Sequence, residues 1–259
     1  EALDEINEKA YLASYVNYDT NRNFLSIVRH EALYAAFVLT EHIKPKDTLP
    51  NHIDKLSDLH EDMDWYNNEL DHPIYFNGQL YTYGICLFNK KCGFDDIKIN
   101  KTITKKYANL ISKEIYKNVG LDSKKFYNKI HELDNFLFFF ITTTSSCPSL
   151  NVNEMADLVN KENRKLFKKL PQNNVYLGYH INEALIDRCI NNFNTNHQLY
   201  KLFKSGSRFS KTQLARSCIN IGYTADSQNV IVPDPIKGNL LSGISEEQFF
   251  LGAPGTRKS

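Results

Sequence analysis

The stretch SGSRFS at positions 205–210 places small residues on both sides of one arginine. Gly206 and the flanking serines allow close approach of backbone to a ligand, main-chain amides can cradle an anion, and the Arg208 guanidinium is a planar cationic fork. Phosphate or carboxylate recognition is the chemistry those residue types suit, although a loop with one exposed arginine is the common ordinary case. A second cluster, HEDMD at 60–64, holds four side chains able to ligate a metal. It lacks a second ligand set and sits in a very polar stretch, so a solvated surface is the expected outcome there. The 8 histidines form no HExxH pair, and no serine or cysteine lies in a nucleophile elbow or cysteine-protease signature. No autonomous hydrolase is visible.

Composition narrows the classes further. The 259 residues are 42% hydrophobic, enough to bury one large core or two to three smaller ones. Lysine plus arginine (31) nearly cancels aspartate plus glutamate (30), so contact with a polyanion must come from local clusters. Five cysteines, Cys86, Cys92, Cys147, Cys189 and Cys218, form no CxxC pair and read as free thiols of an intracellular protein. No run of about 18 apolar residues and no basic-then-apolar leader occurs, which predicts no membrane partner and a cytoplasmic location.

The elements that must hold these residues follow from periodicity. Two helical patterns occupy the first 42 positions or so, split by YDTNRN. Positions 44–73 read as a polar surface insertion with one short helix. Asn77-Gly78 between aromatic and β-branched residues marks a hairpin. Helical signals run over 105–131, FLFFF at 136–140 is expected to be a buried strand, and helices are expected over 153–170, 182–203 and 211–219. Ser245 with Gln248 has capping-box spacing and Glu246 and Glu247 suit a first turn, so a helix begins there, although Gly252, Pro254 and Gly255 weaken its second turn. The predicted class is α+β, mainly helical, as a multi-subdomain fragment of a larger subunit.

The order of motifs over the last sixty residues resembles the largest, β′-type, subunit of multisubunit DNA-dependent RNA polymerases. That family carries a loop of the form SGxRGS leading a helix with glutamine at the position of Gln213, then a GLxxxQYF-like segment, then a glycine-rich turn ending in Arg-Lys. Here these are Gly206, Arg208, Gln213, SGISEEQFF and GTRKS. Upstream, LYTYGICLFN is similar to the family's TVGRxLFN through Gly84, Leu87, Phe88 and Asn89, and 129–158 is similar to a further segment through Ser149 and Met155. Phe209 stands where the loop's second glycine is usual, Cys147 where another glycine is usual, and the NADFDGD motif is absent.

The resemblance implies a β′-like part of a DNA-directed RNA polymerase, a nucleotidyltransferase, forming the secondary channel for nucleotide entry and the root of the bridge helix. It implies four segments: 1–70 after the double-psi barrel, 71–190 as pore domain, 191–235 as funnel and F-loop, and 236–259 as the start of the bridge helix. Gly206, Arg208 and Gln213 would line the nucleotide path, and Phe249, Phe250, Gly255, Arg257 and Lys258 the bridge-helix hinge. No catalytic residue and no metal ligand is assigned to this chain. The Mg2+ ions of two-metal phosphoryl transfer are expected on ligands outside it, so the chain alone is expected to be inactive. Implied partners are other β-like and β′-like subunits, DNA template, RNA transcript, nucleoside triphosphates and a specificity factor. Divergence and an AT-rich composition suit a divided subunit of a giant-bacteriophage polymerase, in host cytoplasm or a phage-made compartment; incomplete representation of a longer chain suits the endpoints equally. The rival class is a non-catalytic helical adaptor that retains polymerase-like loops.

Overall fold

The computed structural model describes residues 24, 27–62, 66, 69–144, 174–226 and 228–258, with backbone only over 254–258. The chain divides into two units, Glu1–Cys147 with Lys204–Arg208, and Pro148–Phe203 with Phe209–Ser259.

In the first unit, helix α1 (His30–Thr40) is buried at every position from Ala32 to Thr40. A helix apolar all round belongs inside a core, and the Ala- and Leu-rich HEALYAAFVLT suits that place. The following polar stretch holds a two-residue strand β1 (Asn51–His52) and a 3₁₀ turn (Leu56–Asp58). It is less superficial than expected, because Leu56 and Leu59 are buried and Glu61 pairs with Lys90 and Lys91. Strands β2 (Pro73–Phe76) and β3 (Gln79–Thr82) form the expected hairpin, and β1 adds to β2 in parallel, Asn51 opposite Ile74 and His52 opposite Tyr75. Asn77 and Gly78 both have positive φ, 47° and 78°, as a two-residue turn matching strand twist requires.

Helix α2 (Tyr83–Lys91) follows β3 directly and is buried from Tyr83 to Asn89. The glycine of its first turn has a steric cause: a Cβ on Gly84 would stand 2.0 Å from the Leu39 carbonyl oxygen of α1. Asn89, fully buried, satisfies its whole amide. Its Nδ2 donates to the Ile85 and Ile99 carbonyls, and its Oδ1 accepts from the Lys98 and Ile99 amides. The loop after α2 thus takes its conformation from one side chain.

Helices α3 (Ala108–Asn118) and α4 (Ser123–Thr143) complete the unit, with Asp122 capping α4 by accepting from the Lys125 amide. The strand expected at 136–140 is the C-terminal third of α4. Phe126, Ile130, Leu133, Leu137, Phe140 and Ile141 make one buried stripe at helical spacing, while Phe138 and Phe139 remain 46% and 52% exposed. A stripe sustained over about four turns outweighs the strand preference of a short aromatic run. Thr142 and Thr143 fit the helix by donating to the Phe138 and Phe139 carbonyls. The single helical signal over 105–131 is two helices, parted where Gly120 and Leu121 take positive φ.

The second unit contains α5 (Val175–Asn191), most of α6 (Gln198–Ser205), α7 (Lys211–Cys218) and α8 (Glu246–Lys258). The helical pattern over 182–203 therefore starts earlier and breaks at 192–197; the helix expected over 153–170 lies outside the described residues. Three isolated bridges, Gly222 to Ile236, Ala225 to Ile231 and Asn239 to Gly243, organise the segment before α8. Asn239 ties that segment to α7 by donating to the Cys218 and Ile219 carbonyls, and Asn220 donates to Asn182 of α5. The described cysteines, Cys86, Cys92, Cys189 and Cys218, are buried. Burial pushes the Cys86 thiol up to about 12, and burial with Cys189 nearby does the same for Cys218, so neither is a reactive thiolate at neutral pH. No described helix is long and apolar enough to cross a membrane.

Two substitutions test this packing. Gly84→Ala is expected to cost about 3 kcal/mol because the obstacle is backbone, whereas Gly78→Ala, with open space around it, costs only the left-handed strain of about 1 to 2 kcal/mol. Urea unfolding of both proteins measures the contrast. On α4, burial pushes the Asp134 carboxyl up to about 6, against a smaller opposing effect of His131, and its Oδ1 is buried without a hydrogen-bond partner. A carboxyl with a raised folded pKa binds its proton better in the native state, so its contribution is fully present below the unfolded value and is lost as pH rises to 6. Asp134→Asn should therefore stabilise the protein by about 2 kcal/mol at pH 7.5 and by nothing near pH 4, as read from melting temperature against pH.

Candidate functional site

The SGSRFS loop leaves α6 and enters α7. Its serines serve the loop itself: Ser205 and Ser207 are buried with hydroxyls 2.9 Å apart, and the Ser207 amide donates to Ser205 Oγ at 3.3 Å. Gly206 has φ 75°, and a Cβ there would meet the Lys105 Cβ at 2.8 Å, so both conformation and space demand glycine. At the other end, Ser210 and Gln213 form a reciprocal capping box. The Gln213 amide donates to Ser210 Oγ at 3.2 Å, and the Ser210 amide to Gln213 Oε1 at 2.9 Å. The amides of Ser207 and Ser210 are thereby engaged and do not form an open anion cradle. Gln213 has a local structural task, and it belongs to the second unit while Gly206 and Arg208 belong to the first.

Arg208 is half-exposed but not unshielded. Its Nε and Nη2 donate to a single oxygen of Glu31, Oε1, at 2.9 and 2.6 Å. Partial burial acts to raise the Glu31 pKa, and the hydrogen bonds and charge of Arg208 outweigh it, so the carboxyl lies below its ordinary value. Both side chains remain about half accessible, 49% and 47%, which limits such a pair to a fraction of 1 kcal/mol. An anion arriving at Arg208 competes with a weakly held carboxylate. Sequence reasoning missed Glu31 because it lies 177 positions away. Lys211, at the start of α7, is likewise held by Glu183 at 3.1 Å and Asp187 at 2.8 Å on α5.

Phe209 takes φ 62°. A bulky side chain in the left-handed region is strained, and glycine is the residue that the position favours.

Helix α8 begins as its capping signal requires, with the Gln248 amide donating to Ser245 Oγ and the Phe249 amide to the Ser245 carbonyl. It continues through Gly252, Pro254 and Gly255 to Lys258 despite their low propensity. One side is anchored: Leu251 O accepts from Thr224 Oγ1, and a Cβ on Gly252 would touch Ile236 at 3.1 Å. Phe249 and Phe250 lie away from that anchor, 58% and 73% exposed, with rings 6.0 Å apart. Gly255, Arg257 and Lys258 fall in the last turns of the same helix.

The described members of the HEDMD cluster, His60, Glu61 and Asp62, are engaged in pairs. Glu61 faces Lys90 and Lys91, His60 Nε2 faces Asp62, and Met63 and Asp64 lie outside the described residues. Among the described residues no three His, Cys, Asp or Glu side chains are grouped to hold a metal.

No protein-family model matches the chain. Among curated proteins, the chain is 28% identical over 151 residues to the DNA-directed RNA polymerase subunit β″ of Euglena gracilis, covering 50% of this chain and 18% of that one. It is 27% identical over 213 residues to the β′ subunit of Karelsulcia muelleri, covering 68% and 14%. It is 23% identical over 202 residues to the β′ subunit of Fusobacterium nucleatum, covering 71% and 15%. The chain thus spans less than a fifth of the length of these relatives. A mainly helical α+β fold with partial similarities of this kind supports the RNA polymerase β′/β″ family.

The strain at position 209 yields a direct test. Phe209→Gly should change stability by no more than about 1 kcal/mol, because relief of the left-handed backbone offsets the loss of a half-buried ring. Phe88→Ala, in the core, should cost about 3 to 5 kcal/mol. Denaturant titration distinguishes them, and a loss above about 2 kcal/mol for Phe209→Gly refutes strain at that site.

Proposed function

We propose that the chain is a β′-like part of a multisubunit DNA-directed RNA polymerase. In this reading it forms the secondary channel through which nucleoside triphosphates enter and, with α8, the root of the bridge helix. The observation that carries the proposal is the similarity to β′ and β″ subunits over half to two thirds of the chain. The order of the SGSRFS loop, the EEQFF segment and the terminal Arg-Lys pair agrees with it. Partners in this reading are further β-like and β′-like subunits, template, transcript, nucleotides and a specificity factor. Origin as a divided bacteriophage subunit forms part of the same proposal.

Two-metal nucleotidyl transfer needs Mg2+ held by several carboxylates. In this reading those ligands lie outside the chain, which has a positioning task. Arg208 would meet the triphosphate by exchanging Glu31 for phosphate oxygens, a swap of one charge-assisted bond set for another. Phe249 and Phe250 would pack against neighbouring polymerase elements, and Arg257 and Lys258 would face nucleic-acid phosphate near the helix hinge.

Purification of the assembly at moderate salt should recover the chain in stoichiometric amounts with other polymerase subunits; recovery as a free monomer favours the adaptor reading. In the reconstituted enzyme, single-nucleotide addition on an RNA–DNA scaffold should fall about 10- to 100-fold at limiting nucleotide for Arg208→Ala. Arg208→Lys should recover part of the loss, and Glu31→Gln should lower the nucleotide concentration needed for half-maximal rate. Unchanged rates for Arg208→Ala would remove that residue from the nucleotide path.

A further inference from the structure

Arg216 stands apart from the other cations around α7. Arg208 is matched by Glu31, and Lys211 by Glu183 and Asp187. Arg216 is half-buried in the last turn of α7, its Nε is buried without a hydrogen-bond partner, and among the described residues its guanidinium meets no carboxylate. Its place at a helix C-terminus is electrostatically favourable, yet that leaves a desolvated N–H unsatisfied. The backbone beside it is fixed. The Leu240 amide donates to the Arg216 carbonyl at 3.0 Å and the Leu241 amide to the Ser217 carbonyl at 3.1 Å, which lays two leucines along the same turn. Those leucines are 65% and 46% exposed although the loop bearing them is pinned by the Asn239 bonds. Exposed leucines on a segment bonded to the turn that carries an uncompensated, half-buried arginine have the make-up of a protein-contact hot spot, in which the arginine anchors and the leucines exclude water.

We propose that Arg216, Leu240 and Leu241 receive a protein segment that sets a carboxylate against the Arg216 guanidinium and apolar side chains on the leucines. Charge complementarity selects this occupant: the open cation calls for an anion, and the adjoining leucines favour an acidic-apolar polypeptide over a nucleic-acid backbone. The inference holds for a polypeptide of any identity and does not depend on the polymerase reading.

The test uses the full chain in its purified native assembly, with a photoreactive diazirine analogue of leucine at position 241. Irradiation and mass spectrometry should identify a crosslinked peptide from another chain with Asp or Glu within a few residues of the attachment point. Arg216→Glu should lower the crosslink yield about tenfold, Arg216→Gln should lower it several-fold, and Arg216→Lys should keep most of it. Reversing the identified acid to lysine should restore the yield in the Arg216→Glu background. Circular dichroism matching the unsubstituted chain shows that each variant is folded. Crosslinks to nucleic acid, crosslinks only within this chain, absence of crosslinks, or a yield indifferent to Arg216→Glu each overturn the proposal. A crosslink to a polymerase subunit, or to some other polypeptide, supports it equally, so its outcome is separate from that of the polymerase reading.

Discussion

The close approach of Gly84 to the Leu39 carbonyl fixes the first unit. Any side chain at position 84 would have to displace helix backbone, and the displaced helix, α1, is buried along nearly its whole length. Packed interiors respond to such intrusions by discrete shifts. The consequences extend along α1 in both directions. At its C-terminal end Thr40 donates to the Ala36 carbonyl and accepts from the Ile103 amide, which holds the approach to α3. At its N-terminal end Glu31 projects from the first turn and meets Arg208. One missing methyl group therefore governs where the carboxylate facing the arginine loop stands.

The loop combines two kinds of constraint. Gly206 is dictated by space and by backbone conformation together, with Lys105 filling the volume that a side chain would need. Phe209 has no such accommodation and holds its φ of 62° against its own preference. The loop serines make local bonds, Ser205 with Ser207 and Ser210 with Gln213. Arg208 reaches a distant residue, Glu31, and the weakness of that exposed pair leaves it exchangeable.

Local signals carried far into the structure, and non-local ones did not. The Asn77-Gly78 turn and the Ser245–Gln248 start are each set by residues within four positions of each other, and both were legible. FLFFF was misread because five residues express strand preference, while the stripe that decides the matter runs from Phe126 to Ile141. The demand for a left-handed residue at 209 was visible only through the glycine that the resembling family carries there. Glu31, Lys105 and the uncompensated state of Arg216 had no local signature, since each is defined by what lies beside it in space.

The division of the chain has a temporal side. Lys204–Arg208 belongs with the first unit although Pro148–Phe203 precedes it and Phe209–Ser259 follows it in the second. Glu31 cannot meet its partner until Arg208, 177 positions later, has been made. At about 5 to 20 residues per second that is a delay of roughly 10 to 35 s. Until then Lys105 lacks the Gly206 backbone that packs against it, so the first unit's packing is completed only by its own later segment.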